Sequence, residues 1–391
     1  MKKVGLFLGA DYKGGALQYN QAMLEAVASL PKEEFQAVIY FSSNYWEEKL
    51  KKYDLPRRKI STGRWGRRIY RAWWTMGLPV SGWRKASPLV HDLTKKIINE
   101  ECDLWIFPSQ DRWSYQLPVP ALVTIYDLNH RYNKQFPEVS DNGLYEKREK
   151  HYIEICKWAE AILADSNVGK DQIIESYEVE PEKIYVLPYI PPKYIYNTEL
   201  PKGFDFRYRL PPKYLFYPAQ FWEHKNHKNL IKAVNILRGK YADINVVLVG
   251  SKENAYDSVW DMVQKMKLSE VIHFLDYVPD EDMPELYRRA SAMVMPSYFG
   301  PTNIPPLEAI AVGCPVAVSN VYAMPEQLGN VALYFDPSSV NEIAEAIERL
   351  WTDDSLCTEL RERGFIRAAK WDQFHFNKRL CKIVRNVLDK N

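Results

Sequence analysis

Apolar residues in this chain gather in short runs separated by longer stretches in which they recur every three or four positions. The run Val4 to Gly9 is followed by a glycine turn, Lys13-Gly14-Gly15, and then by Leu17, Met23, Leu24 and Val27 at helical spacing. That pattern predicts a strand, a loop and a helix. Further runs at 37–41, 104–107, 121–125, 161–164 and 184–187 predict strands alternating with helices, the arrangement of a parallel sheet covered on both faces. The alternation restarts at 214–217, 244–249, 271–274, 292–295 and 316–318, and three helices are expected at 340–351, 354–369 and 374–388.

Between these halves the pattern breaks into Pro191-Pro192, Tyr194, Pro201-Lys202-Gly203 and Pro211-Pro212, a composition suited to a connector. The expected organisation is a first domain over 1–190, a linker over 191–212, a second domain over 213–370 and a terminal helix over 371–391 that packs back toward the first domain. The expected fold class is α/β, with two doubly wound Rossmann-like domains facing across a cleft. In such sheets ligands bind outside the carboxyl ends of the strands.

Composition narrows the class. A length of 391 residues, 46% apolar and 26% charged, suits a two-domain globular protein and excludes disorder or a fibrous design. A net charge of +2 argues against a nucleic-acid partner. The charge is uneven, however. From Lys49 to Lys85 there are twelve Lys or Arg against Asp54 alone, interleaved with Trp65, Tyr70, Trp73, Trp74 and Trp83. This stretch is read three ways: a contact for anionic lipid heads, a site for an anionic glycan, or a solvated insertion. Five cysteines, odd in number and without a C-x-x-C, are expected to be reduced. With no signal-like start and no membrane-length apolar stretch, the expected location is cytoplasmic, with peripheral contact at the inner face of the membrane under the lipid reading.

Two loops carry candidate chemistry. Tyr217 to Asn229 runs from a strand into a helix, where backbone N–H groups and the positive helix end suit an anion that Lys225 could neutralise; solvated polar residues at a helix start are the equal alternative. Ser297 to Pro306 has the same logic, with Asn303 or Thr302 as N-cap and the N–H groups of Thr302, Asn303 and Ile304 offered to an anion. Glu308 follows in the first turns of that helix, where a carboxylate either stabilises the helix dipole or accepts hydrogen bonds from a ribose diol. Asp280-Glu281-Asp282, the one D-x-D, is expected to cap a helix and not to hold a metal.

The run Tyr298-Phe299-Gly300-Pro301-Thr302-Asn303-Ile304-Pro305-Pro306-Leu307-Glu308-Ala309, with Val312-Gly313-Cys314-Pro315-Val316 and Met324-Pro325-Glu326 after it, resembles the donor-site signature of family 4 retaining glycosyltransferases. The likeness extends upstream through Phe274-Leu275-Asp276-Tyr277-Val278 and Leu286-Tyr287-Arg288-Arg289-Ala290 to Trp222-Glu223-His224-Lys225-Asn226. It covers nearly the whole second domain. In the first domain it is looser, resting on Gly14-Gly15, on Val123 to Leu128 and on Ala164 to Asn167.

The resemblance implies the two-domain GT-B fold and a UDP- or GDP-sugar donor, with no cofactor and no metal. It implies that Glu308 holds the donor ribose, that Lys225 contacts the diphosphate and that Asp127 sits at the reaction centre. Gln220, His224, Asn226, Val278, Gly300, Thr302, Asn303, Ile304 and Leu307 fall on donor-side positions, and Gly14, Gly15, Tyr126 and His130 on the acceptor side. This chain departs from the pattern at three places. Gly300 replaces the first glutamate of the Glu-x7-Glu pair, Gln220 replaces an arginine, and Tyr126 replaces a histidine that His130 could replace in turn, unless His130 is a surface residue without duty. The implied activity moves a hexose-type sugar to a glycan or polyprenyl-linked acceptor in cell-surface polysaccharide synthesis, by a front-face mechanism. The alternative is a catalytically silent protein on the same fold that binds glycan or a partner enzyme.

Overall fold

A computed structural model of the chain describes residues 1–9, 14–61 and 63–390. The chain divides into two compact units, one made of 1–128, 146–188 and 373–391, the other of 129–145 and 189–372. The first holds seven parallel strands: β1 Lys2–Leu8, β2 Phe35–Phe41, β3 Arg57–Lys59, β4 Leu104–Phe107, β5 Ala121–Thr124, β6 Ala161–Ala164 and β7 Ile184–Val186. Their order is β3-β2-β1-β4-β5-β6-β7. The second holds β8 Leu215–Pro218, β9 Val246–Val249, β10 Ile272–Leu275, β11 Ala292–Met295, β12 Val316–Ser319 and β13 Ala332–Phe335, in the order β10-β9-β8-β11-β12-β13.

Both orders reverse direction beside the first strand of the sheet, as in a doubly wound fold. The central strands are apolar on both faces because helices cover both; Val246, Val247, Leu248, Met293 and Val294 are all fully buried. Two strands fall outside the expected set. β3 reads Arg-Arg-Lys and is exposed throughout, as an edge strand tolerates, so no apolar run marks it. β13 is short and half-exposed at its centre.

The unit boundaries differ from the expected ones in two ways. Residues 191–212, expected as a linker, belong to the second unit: Ile195 and Phe204 are buried in its core, and Arg207 and Tyr208 bond Asp282 at 2.7 and 2.5 Å. The prolines do break regular structure there, but the aromatic residues between them supply burial. Residues 129–145, expected in the first domain, likewise group with the second unit.

The last helix, Gln373–Asp389, is part of the first unit and packs on the helix Gly14–Ala28. Phe376 is fully buried with its ring edge-on to Tyr19 at 6.1 Å, Gln373 donates to the Ala22 carbonyl at 3.1 Å, and Arg385 grips Glu34 through two 2.8 Å bonds. Removing the Phe376 ring leaves a cavity in this seam. Phe376→Ala is expected to destabilise the first unit by about 3–5 kcal/mol in urea denaturation, whereas a change below about 1 kcal/mol would mean the helix is not part of that core.

Candidate active site

The loops after β8 and β11 leave the carboxyl ends of neighbouring strands, which pair Leu215 with Ala292 and Phe216 with Met293. This is the reversal point of the second sheet, where open α/β sheets place ligands. After β8 the chain makes a tight turn at Glu223–Lys225 and enters the helix His227–Arg238 through Asn226. Asn226 is left-handed at φ 59°, a conformation asparagine tolerates better than most residues. Its buried amide donates both protons, to the carbonyls of Pro296 at 2.9 Å and Pro337 at 2.7 Å. Assigned to the donor by resemblance, Asn226 is thus engaged with the fold. It fixes the backbone next to Lys225, whose carbonyl accepts from Tyr217 at 2.8 Å.

The loops are joined elsewhere too. The Lys225 ammonium lies 3.4 Å from Asn303 Oδ1, the His224 ring stacks on Phe299 at 3.8 Å and 10°, and the Tyr298 N–H donates to the His224 carbonyl at 2.8 Å. Gln220 is exposed, its amide shared between Ser251 at 3.0 Å and the Trp222 indole at 3.1 Å.

Gly300 has φ +124°, and a Cβ there would come within 2.7 Å of the Asn303 amide. The position that carries glutamate in the resembled signature is here built for glycine, with Asn303 filling the adjoining space. Asn303 itself sits at the N-cap of the helix Ile304–Ala311 with extended backbone, but its side chain makes no cap bond; it receives Lys225 and donates to the Met324 sulfur at 3.4 Å. Its backbone N–H, expected to face an anion, donates instead to Gln327 Oε1 at 2.9 Å. Thr302, Ile304 and Leu307 are buried beside it, and Val278 is buried in the core of the same unit.

Glu308 is buried between two tyrosines, Tyr287 donating to Oε2 at 2.5 Å and Tyr194 donating to Oε1. Burial raises its pKa, and the two hydroxyls partly offset that by stabilising the carboxylate. Each oxygen retains a lone pair for a further hydroxyl, the capacity a ribose diol would use. Asp282 corrects another expectation: its backbone is already helical, its side chain makes no cap bond, and the carboxylate holds Arg207 and Tyr208 instead. Among the described residues no group of three or more His, Cys, Asp or Glu is placed to hold a metal ion.

In the first unit, Gly14 and Gly15 open the helix after β1, Gly14 at φ +57°; Lys13 lies outside the described residues. Tyr126 donates to the Pro108 carbonyl at 2.9 Å, and Asp127 holds Arg148 at 2.5 Å, which also reaches Tyr152 at 3.3 Å. His130 is not a surface residue. It is fully buried, with its ring 5.6 Å from Tyr145, and falls in the segment that groups with the second unit. Nothing in the local sequence marks Glu138, Tyr194 or Gln327 as functional, although Tyr194 stands in the stretch expected as a connector. Tyr194 was hidden in a proline-rich stretch and Gln327 in a helix face, and Glu138, behind Pro137, looks like an ordinary first-turn acid.

The two parallel Rossmann-like sheets define the GT-B class. The fold is shared end to end with a solved glycosyltransferase from Rickettsia africae, at TM-score 0.74 and 15% identity, covering 100% of this chain and 99% of that one. It is shared also with Anabaena HepE, solved in complex with UDP and glucose, at TM-score 0.73 and 15% identity, covering 98% and 100%. Residues 204–367 match the family described as glycosyl transferases group 1, so the chain carries a group 1 glycosyltransferase domain on a GT-B frame. Among curated relatives, O-antigen chain mannosyltransferase B of Escherichia coli is 28% identical over 262 residues, 62% of this chain and 68% of the relative. O-antigen chain mannosyltransferase RfbU of Salmonella typhimurium is 29% identical over 229 residues, 58% and 60%.

Glu138 links this site to pH. Burial would raise its pKa, but the bonds it accepts from the His224 ring, the His224 N–H and Asn254 outweigh that and hold it at about 2, against 4.5 for a free glutamate. A depressed carboxyl contributes stability that is present above the free value and lost as pH falls toward the folded one. Urea denaturation of Glu138→Gln should therefore show a flatter loss of stability between pH 4.5 and pH 2 than the wild type; parallel profiles would rule the contribution out.

Proposed function

We propose that the protein is a retaining glycosyltransferase that moves a hexose, mannose being the first candidate, from a nucleoside diphosphate sugar to a glycan or polyprenyl-linked acceptor in cell-surface polysaccharide synthesis. The observation that carries this reading is the contact of Lys225 with Asn303 between the loops after β8 and β11, at the start of the helix that carries Glu308. A cation beside two helix starts suits the diphosphate, and a buried, oriented carboxylate suits the ribose. Mannose is favoured because the O-antigen relatives are named mannosyltransferases.

In the proposed front-face reaction the acceptor hydroxyl oxygen bonds to the anomeric carbon on the side from which the diphosphate leaves. The carbon–oxygen bond to the phosphate breaks, and the hydroxyl proton passes to the departing phosphate oxygen. Lys225 and the N-terminal ends of the helices His227–Arg238 and Ile304–Ala311 meet the charge that develops, without a metal. The alternative of a silent binder rested on Gly300 and Gln220. The way Asn303 occupies the space at Gly300 speaks for a rebuilt loop and against decay.

The reading also places the protein at the cytoplasmic face of a membrane. No helix among the described residues is long and apolar enough to cross one. The helix Arg64–Thr75 turns Arg64, Arg67, Arg68 and Arg71 outward together with Trp65, which is 74% exposed. Tyr70, Trp74 and Trp83 cluster with one another. Arg57 and Arg58 are engaged by the Leu50 carbonyl and Glu100, so the outward arginines of the helix are the ones that would meet anionic lipid heads.

Calorimetry without divalent metal tests the donor site. GDP or UDP should bind the wild type, and Lys225→Ala and Glu308→Ala should each weaken binding by about tenfold or more; absence of binding by both nucleotides would favour the silent-binder alternative. For the membrane contact, glutamate at Arg64, Arg67, Arg68 and Arg71 together should abolish co-sedimentation with phosphatidylglycerol vesicles. Unchanged sedimentation would leave the segment a solvated insertion.

A further inference from the structure

Glu138 lies on the short helix Pro137–Ser140, in the segment 129–145 that the chain sends into the second unit from between two strands of the first. Its carboxylate is almost fully enclosed. Oε1 accepts the backbone N–H of His224 at 3.0 Å and faces the His224 ring Nδ1 at 2.5 Å, while Oε2 accepts from the Asn254 amide at 2.9 Å. Asn254 in turn accepts the Glu223 N–H at 3.0 Å. The first two donors of the turn Glu223–Lys225 are thus held by Glu138 and its partner, one residue before Lys225. Phe136, on the same segment, packs its ring against Tyr298 at 5.5 Å and Phe299 at 5.6 Å. One short stretch of chain therefore grips both loops of the candidate donor site.

Resting on the donor site proposed above, we propose that Glu138 is a positioning residue for the diphosphate: by holding the His224 backbone and ring it sets where the Lys225 ammonium points. A lysine on a turn has no rigidity of its own, and a displacement of about 1 Å at a charge-stabilising group is enough to lose most of its effect. Glutamine at 138 keeps the size, but its single oxygen cannot serve His224 and Asn254 together.

The test compares nucleoside diphosphate with nucleoside monophosphate binding by calorimetry, using whichever of GDP/GMP or UDP/UMP the wild type binds. Glu138→Gln should cut the diphosphate-over-monophosphate preference by about tenfold, an effect that simple loss of folded protein cannot produce because it scales both ligands equally. His224→Ala should lower the preference similarly, and the double variant should be no worse than either single one, since both act through one contact. Asn254→Ala, at an exposed position, should lower it by about threefold and serves if Glu138→Gln does not fold. Equal or stronger preference in folded Glu138→Gln or Asn254→Ala overturns the proposal while leaving the donor site standing. Failure of the wild type to bind any nucleotide overturns both.

Discussion

Two hydrogen bonds from one buried amide determine how the candidate site is assembled. Asn226 joins the loop after β8 to the carbonyls of Pro296, at the start of the loop after β11, and of Pro337. A buried donor pair of this kind is costly to leave unmet, so the bonds act as a constraint and not merely as added stability. The left-handed backbone at Asn226 turns the chain into its helix, and the residue before it is Lys225. The stack of His224 on Phe299, the Lys225 contact with Asn303 and the placement of Gly300 all presuppose the separation of the loops that this amide enforces.

Much of this was legible in the order of residues. Buried parallel strands are apolar on both faces, so eleven of the thirteen could be located from apolar runs, and the helices between them from their periodicity. The edge strand Arg57–Lys59 could not, because one-sided pairing leaves it free to be wholly basic. The loops after β8 and β11 stood out through their prolines, glycine and asparagines. What the side chains in them do was not legible, since local sequence does not say whether an amide at a helix start turns to its own backbone or to a lysine nearly eighty positions away. Asn303 and Asp282 both occupy cap positions and neither caps. Tyr194 and Glu138 escaped notice for a related reason: their partners are defined only after the chain has folded back on itself.

Gly300 and Asn303 share one small space in the loop after β11. Glutamate at position 300 would need both a tolerated backbone and room for its side chain; φ +124° and the Asn303 amide deny it each in turn. The two residues form a matched pair, and substituting one without the other would leave a strained backbone or an empty space. Variation in such loops is better understood as exchange of sets than of single residues.

The segment 129–145 also bears on how such proteins could recombine. The units are not beads on a string: the chain passes from one to the other after Leu128, after Tyr145, after Pro188 and after Asp372. A gene fusion near position 190 would join an incoming 189–372 piece to the resident arm bearing Phe136 and Glu138. Hybrids made at that junction inherit a mismatched clasp on the loops after β8 and β11, so exchange of the second unit between relatives is better attempted by moving its two pieces, 129–145 and 189–372, than by trading halves.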